Sequence, residues 1–244
     1  MNNLLRSKFV PLIMAGLGIV GFALRQGLYT VALDHKNLLL AGHPLQWLLF
    51  AVTAAAIGLA VLSGMGKEQR SNGGCRLAAL GSIVLAAGIL IALLPEGFAV
   101  SGLARMRSIL GILAAAAMIA GAIQQLRGQR VFFLLPGILC VFFAVHMVSC
   151  YQGWSSNPQT LDYLYTLLTS VGLMLFAYQQ SACAADCGNG TLLKIFGCLS
   201  VFSGITALSG TEYPAMYLCG SLWALTALLC PEAPEAVPLG EEQE

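Results

Sequence analysis

Eight long apolar runs leave this chain few ways to fold. A run of about 18 or more apolar residues, rising about 1.5 Å per residue as a helix, is long enough to cross the hydrocarbon core of a bilayer. Such runs lie near residues 9–33, 46–65, 75–94, 107–126, 131–151, 161–180, 191–209 and 213–230. The segments between them are short: DHKNLLLAGHPL (34–45), GKEQRSNGG (66–74), PEGFAVSGLARM (95–106), LRGQR (126–130), QGWSSNPQT (152–160) and SACAADCGNG (181–190). They hold the Gly, Pro, Asn and Asp that close turns. None is large enough to fold alone, so any function sits among the helices or at their ends. The expected fold is an all-α integral membrane protein of about eight transmembrane helices in one domain, residues 1–230. The last two runs are separated by little more than GTE (210–212), so a re-entrant hairpin is the main alternative there.

Composition supports the same class. Of the 244 residues, 58% are hydrophobic and 9% charged, with a mean hydropathy of +0.80. A soluble globule carries near a quarter charged residues. The net charge is +1 and the twelve Lys and Arg are scattered, which gives no nucleic-acid footprint. Arg6 and Lys8 precede an apolar stretch that runs too long, without a small-residue cleavage site in a polar exit, to read as a secretory signal; it reads as a retained first span. Residues 231–244, PEAPEAVPLGEEQE, read as a disordered acidic tail.

Basic residues flanking the spans favour the cytoplasm. With the N-terminus inside, Arg6, Lys8, Lys67, Arg70, Arg76, Arg127, Arg130 and Lys194 fall inside, against Lys36, Arg105 and Arg107 outside. Both termini are therefore expected in the cytoplasm, in a membrane of the bacterial inner (plasma) type. The exterior would carry Asp34, His35, His43, Glu96, Trp154, Asp162 and Glu212. Trp47, Trp154, Tyr163, Tyr213 and Tyr217, near predicted span ends, read as interface anchors. Gly- and Ala-rich faces such as AVTAAAIGLA and GILAAAAMIAGA suit close helix packing.

Two halves, 9–126 and 131–230, align in part. GLGIVGFALRQ (16–26) over GILCVFFAVHM (137–147) matches Gly16 with Gly137, Val20 with Val141, Phe22 with Phe143 and Ala23 with Ala144. Arg25 then falls on His146. LAALGSIVLAAGI (77–89) over LKIFGCLSVFSGI (193–205) matches Leu77 with Leu193, Gly81 with Gly197, Gly88 with Gly204 and Ile89 with Ile205; Thr53 meets Thr169, and Glu96 meets Glu212. An even number of spans per half makes the repeats parallel, related by an axis along the membrane normal, and a shared site often lies between such halves. Chance alignment of Ala- and Gly-rich helices is the competing explanation.

Arg25 and Gln26 interrupt the first apolar run. An arginine inside a span costs between about 2.5 and over about 10 kcal/mol depending on the scale, so it faces other helices or water and marks the bundle interior. Arg25 and His146 would face each other across the repeat axis, where a guanidinium and an imidazole bind an anion or carry a proton. The plainer reading pairs Arg25 with a carboxylate such as Glu96 or Asp162 and leaves His146 hydrogen-bonded in a packed core. Glu96 and Glu212, at span ends, are cation-gating candidates or solvated carboxylates. The substrate-binding candidates are thus Arg25, Gln26, His146, Glu96 and Glu212.

Other chemistry is weaker. Asp34, His35 and His43 fit no recognised zinc spacing. Cys140, Cys150, Cys198, Cys219 and Cys230 lie in or at the ends of spans as small apolar fillers, while Cys75, Cys183 and Cys187 fall near the cytoplasmic face, where disulfides are not expected and C-x3-C alone is a weak metal or redox pattern. The chain has no G-x-S-x-G, H-E-x-x-H, C-x-x-C or P-loop pattern. Ser203-Gly204 and Ser209-Gly210 are fragments of a serine-nucleophile loop that packed helices contain anyway. No cofactor or metal is expected. Three function classes remain: a small-solute or ion carrier or channel with its site between the halves; a non-transporting membrane component that assembles with a partner protein or with itself; and, disfavoured by the missing motifs, an intramembrane enzyme. The lipid bilayer is a partner under all three.

Overall fold

The computed structural model describes residues 9–31, 43–65, 75–94, 102–154 and 160–230, the side chains of 153, 154 and 160–162 excepted. Eight helices follow one another: α1 (Val10–Val31), α2 (Pro44–Gly64), α3 (Arg76–Leu93), α4 (Gly102–Leu126), α5 (Leu134–Trp154), α6 (Thr160–Ala184), α7 (Gly190–Ala207) and α8 (Pro214–Leu229). There is no strand among the described residues. The eight apolar runs and the eight helices coincide, and the protein is an all-α helical bundle of membrane character.

Among the described residues six helices, α1 to α5 and α7, are long and apolar enough to cross a membrane. The other two differ for physical reasons. α6 has 25 residues but is studded with Tyr163, Tyr165, Thr166, Thr169, Ser170, Tyr178, Gln179 and Gln180. α8 has 16 residues, about 24 Å of helix against a hydrocarbon core of about 30 Å.

Helix pairing builds a ring. α3 packs on α4, α4 on α5, α5 on α6, α6 on α7, α7 on α8, and α8 returns to α3. The α3–α8 pair that closes the ring is the most extensive of all, and α1 and α2 pack on each other and on the outside of the ring at α7. Glycines explain the tight seams. A Cβ at Gly81 of α3 would run into the side chain of Thr226 and the backbone of Trp223, and one at Gly88 would meet Cys219 and the Ala215 carbonyl. On α7, Gly197 faces Leu228 and Phe176, and Gly204 faces Ser221 and the Tyr217 carbonyl. The two glycine pairs, aligned with each other in sequence, both seat α8, which lies between α3 and α7. The surroundings of the two halves are not equivalent: α7 also receives α1, α2 and α6, whereas α3 pairs chiefly with α4 and α8.

Side chains such as Ile19, Ile57, Leu62, Leu80, Ile91, Ile112 and Ile119 are exposed on the outside of the bundle. That apolar exterior is suited to lipid contact. Buried hydroxyls are satisfied locally: Ser82 donates to Ala78 O at 3.1 Å, Ser203 to Leu199 O at 2.7 Å and Ser221 to Tyr217 O at 2.9 Å. Such back-bonding lets a polar side chain sit in an apolar helix interface without a further partner.

Cys75, the residue before α3, is joined by a disulfide to Cys230, the residue after α8, across a sequence separation of 155. This corrects two expectations, that disulfides are absent from this end of the bundle and that Cys230 is a small apolar filler. The reason is topological. The ring closes between α3 and α8, so the N-terminus of one and the C-terminus of the other meet with their Cα atoms 6.3 Å apart, within the usual span of a disulfide.

Candidate functional site at the polar end of the bundle

The end of the bundle opposite the disulfide buries two arginines and a histidine, whereas the buried Lys194 lies near the start of α7 at the disulfide end. Arg25 lies on α1, six residues before its end, and is 3% exposed. Its Nη1 donates to the carbonyl oxygens of Ala207 at 3.4 Å and Thr206 at 3.5 Å, and its Nη2 to Tyr29 Oη at 3.3 Å. The guanidinium also sits over the rings of Tyr29 and Tyr165, 5.6 and 5.4 Å from their centroids. α7 ends at Ala207. The last carbonyls of a helix have no partner within it and carry the negative end of its dipole. Arg25 therefore caps α7 from a neighbouring helix, matching a delocalised cation to carbonyls that lipid cannot solvate.

The same segment of α1 holds the turn that follows. Ser209 Oγ donates to Gln26 Oε1 at 2.9 Å. Gly210 adopts φ +83°, and a Cβ there would lie 2.6 Å from Tyr29 Oη, so both backbone and space require glycine. Tyr165 on α6 is fixed in turn by a 2.7 Å hydrogen bond with Thr53 on α2.

On the other side of the turn lies a second group. Arg107 of α4 is 6% exposed; its Nη1 donates to Tyr213 Oη at 3.1 Å and its guanidinium lies 5.3 Å from that ring. His146 of α5, 2% exposed, is edge-on to Tyr213 at 5.0 Å and stacks on Phe142 at 5.9 Å. Its Nε2 is hydrogen-bonded to Tyr217 Oη at 3.0 Å, with Cys150 Sγ at 3.6 Å. Tyr217 Oη is also 2.9 Å from Ser170 Oγ on α6. One guanidinium, one imidazole, two phenols and a hydroxyl from four helices thus form a connected polar cluster inside the ring.

Of the sequence candidates, Arg25 and His146 are buried at this end and Gln26 is exposed, its side chain meeting Ser209, but Arg25 and His146 do not touch. Arg25, on α1, bonds the end of α7, whereas His146, on α5, bonds Tyr217 of α8. Glu212 is exposed at the crest of the turn, beside Tyr213, and Glu96 lies outside the described residues, as does the side chain of Asp162. Arg107, read as an exterior basic residue, is instead an interior residue of α4, because the helix begins at Gly102 and buries the face that carries Arg107, Ser108, Gly111, Ala114 and Ala115. Tyr213 and Tyr217, read as interface anchors, turn inward for the same reason: α8 is enclosed by α3 and α7. Tyr165 and Ser170 were not singled out in the sequence at all, although Tyr165, Thr166, Thr169 and Ser170 mark one polar face at helical spacing.

The remaining candidates disperse. His43 caps α2, its Nδ1 accepting from Leu45 N at 3.3 Å, while Asp34 and His35 lie outside the described residues. Among the described residues no group of three His, Cys, Asp or Glu is placed to hold a metal. Ser203 and Ser209 donate to Leu199 O and to Gln26, and neither hydrogen-bonds His146.

Replacing Arg25 by Gln removes the charge that faces the α7 carbonyls. Leaving a buried polar group unsatisfied costs about 1–3 kcal/mol, so the Arg25→Gln protein is expected to unfold at lower temperature in detergent and to give less folded material, with Arg25→Lys intermediate. A midpoint unchanged from wild type would remove the capping role. No protein-family model, curated protein or solved structure matches this chain.

Proposed function

We propose that the protein is a carrier or channel for a small solute, and that its binding site is the cluster of Arg107, His146, Tyr213, Tyr217 and Ser170. The observation that carries this reading is the burial of Arg107 beside His146 and two tyrosine hydroxyls inside the ring of helices. Ionisable side chains in a span are costly and mark ligand or ion paths more often than they serve packing alone. A guanidinium with phenolic and imidazole N–H or O–H donors is suited to a small anion. Under this reading Arg25 and Gln26 are positioning residues: they hold the α7–α8 turn from which Tyr213 projects. Glu212, at the crest of that turn, stands at the entrance.

A second reading has its own support. α2 is the least covered of the six apolar helices and exposes Trp47, Leu48, Ile57, Val61 and Leu62. A helix packed chiefly on α1 and α7 offers its outer face to a partner protein or a second copy, which favours a non-transporting component.

We infer further that both termini face the cytoplasm of a bacterial-type inner membrane, from the excess of basic residues at the disulfide end. A cytoplasmic location would expose Cys75–Cys230 to a reducing compartment. A C-terminal reporter active only in the cytoplasm decides the orientation: activity supports it, and activity of a reporter that requires export overturns it.

For the solute site, purified protein is screened by thermal shift against small anions, cations and amino acids. A ligand selective for the folded state stabilises by about 2.7 kcal/mol at one hundred times its Kd. An anion-specific rise in midpoint, lost in folded Arg107→Gln and His146→Ala proteins, and matched by uptake into proteoliposomes, is the expected result. No shift with any solute, together with a stoichiometric partner retained in mild detergent, would replace this reading with the second.

A further inference from the structure

The interior of the ring is polar at a second level. Near the disulfide end a cavity of about 10 Å³ is bordered by α3, α4, α5, α6 and α8, with Ser82, Gln125, Gln180, Met118, Pro136 and Trp223 among its walls. Gln125 sits in the last turn of α4 and is 8% exposed; its Oε1 is buried and accepts no hydrogen bond among the described residues. A buried amide oxygen without a donor is unfavourable, more so where lipid surrounds the bundle. That volume is at the lower limit of what admits one water molecule, and a buried water needs two to four polar partners. The polar residues that line the cavity are Gln125, Gln180 and Ser82, the last with its proton given to Ala78 O.

We propose that this cavity is a binding site for one water molecule, which donates a hydrogen bond to Gln125 Oε1. The site and the Arg107–His146 cluster share the inner walls of α4, α5, α6 and α8. From Arg107 to Gln125 is 18 residues of one helix, about 27 Å. Between Phe142, stacked on His146 at the upper level, and Trp223, a wall of the lower cavity, lie the buried Leu173 and Phe176, with Phe176 edge-on to Trp223 at 4.9 Å. The ring interior thus carries two polar stations separated by buried apolar side chains. The role of the lower station on a solute path rests on the reading of the Arg107–His146 cluster as a solute site; its hydration does not.

X-ray radiolysis of the purified protein tests the hydration, because hydroxyl radicals formed from a bound water oxidise the side chains beside it even where bulk solvent is excluded. Met118 and Trp223, 5% and 2% exposed, border the cavity, and Met14, 0% exposed on α1, is the internal control. Prompt oxidation of Met118 or Trp223, well above Met14, is expected in wild type and should fall several-fold in Gln125→Leu. Wild-type Met118 and Trp223 as unreactive as Met14 would overturn the proposal without any variant, and so would labelling that persists unchanged in a folded Gln125→Leu protein. Neither outcome depends on whether a solute binds at Arg107.

Discussion

The contact between the Arg25 guanidinium and the carbonyls that end α7 governs the polar end of this protein. α7 stops at Ala207 while α1 continues to Val31, so the last turn of α7 is flanked by another helix rather than by open solvent. Its free carbonyls need a donor that the surrounding apolar side chains cannot offer. A lysine would place a point charge there; arginine spreads its donors in a plane, reaching two carbonyls and a phenol while lying against two aromatic rings. The arrangement accounts for a charged residue in an apolar run without invoking a ligand at Arg25 itself.

What Arg25 holds in place has consequences further on. The turn from Leu208 to Tyr213 is gripped from the α1 side by Arg25, Gln26 and Tyr29, and from the ring side by Arg107. With the turn fixed, α8 enters the ring in a register that brings Tyr213 and Tyr217 onto His146 and Ser170. The glycine pairs of α3 and α7 then allow α8 to approach both neighbours closely, and Cys75–Cys230 ties its far end to α3. A helix of 16 residues is thereby built into the wall of the bundle by contacts at both ends and along two faces.

Much of this was legible in the sequence, and the gaps have physical causes. The apolar runs located every helix because lipid-facing surfaces need continuous apolarity. Arg25 stood out because it interrupts such a run. Arg107 did not, because it falls at the edge of a run, where a basic residue reads as a loop; only the spacing of Ser108, Gly111, Ala114 and Ala115 on its face signals that it points inward. Tyr213 and Tyr217 have the composition of an interface belt, and which way they face is decided by α8 lying between α3 and α7, a tertiary fact. The Cys75–Cys230 pair likewise depends on ring closure between elements 155 residues apart. The aligned glycines, read as evidence of duplication, have a clearer role as the two seats of α8.

Hydrogen–deuterium exchange across residues 205–217 in detergent-solubilised wild type and Arg25→Gln tests the capping of α7 most directly. If Arg25 secures the end of α7 and the turn beyond it, amides of the turn and of the first turn of α8 lose protection in the variant, while those of α3 and α4 exchange as in wild type. Equal protection of the 205–217 segment in both proteins would contradict the account and return Arg25 to the list of residues whose burial needs another reason.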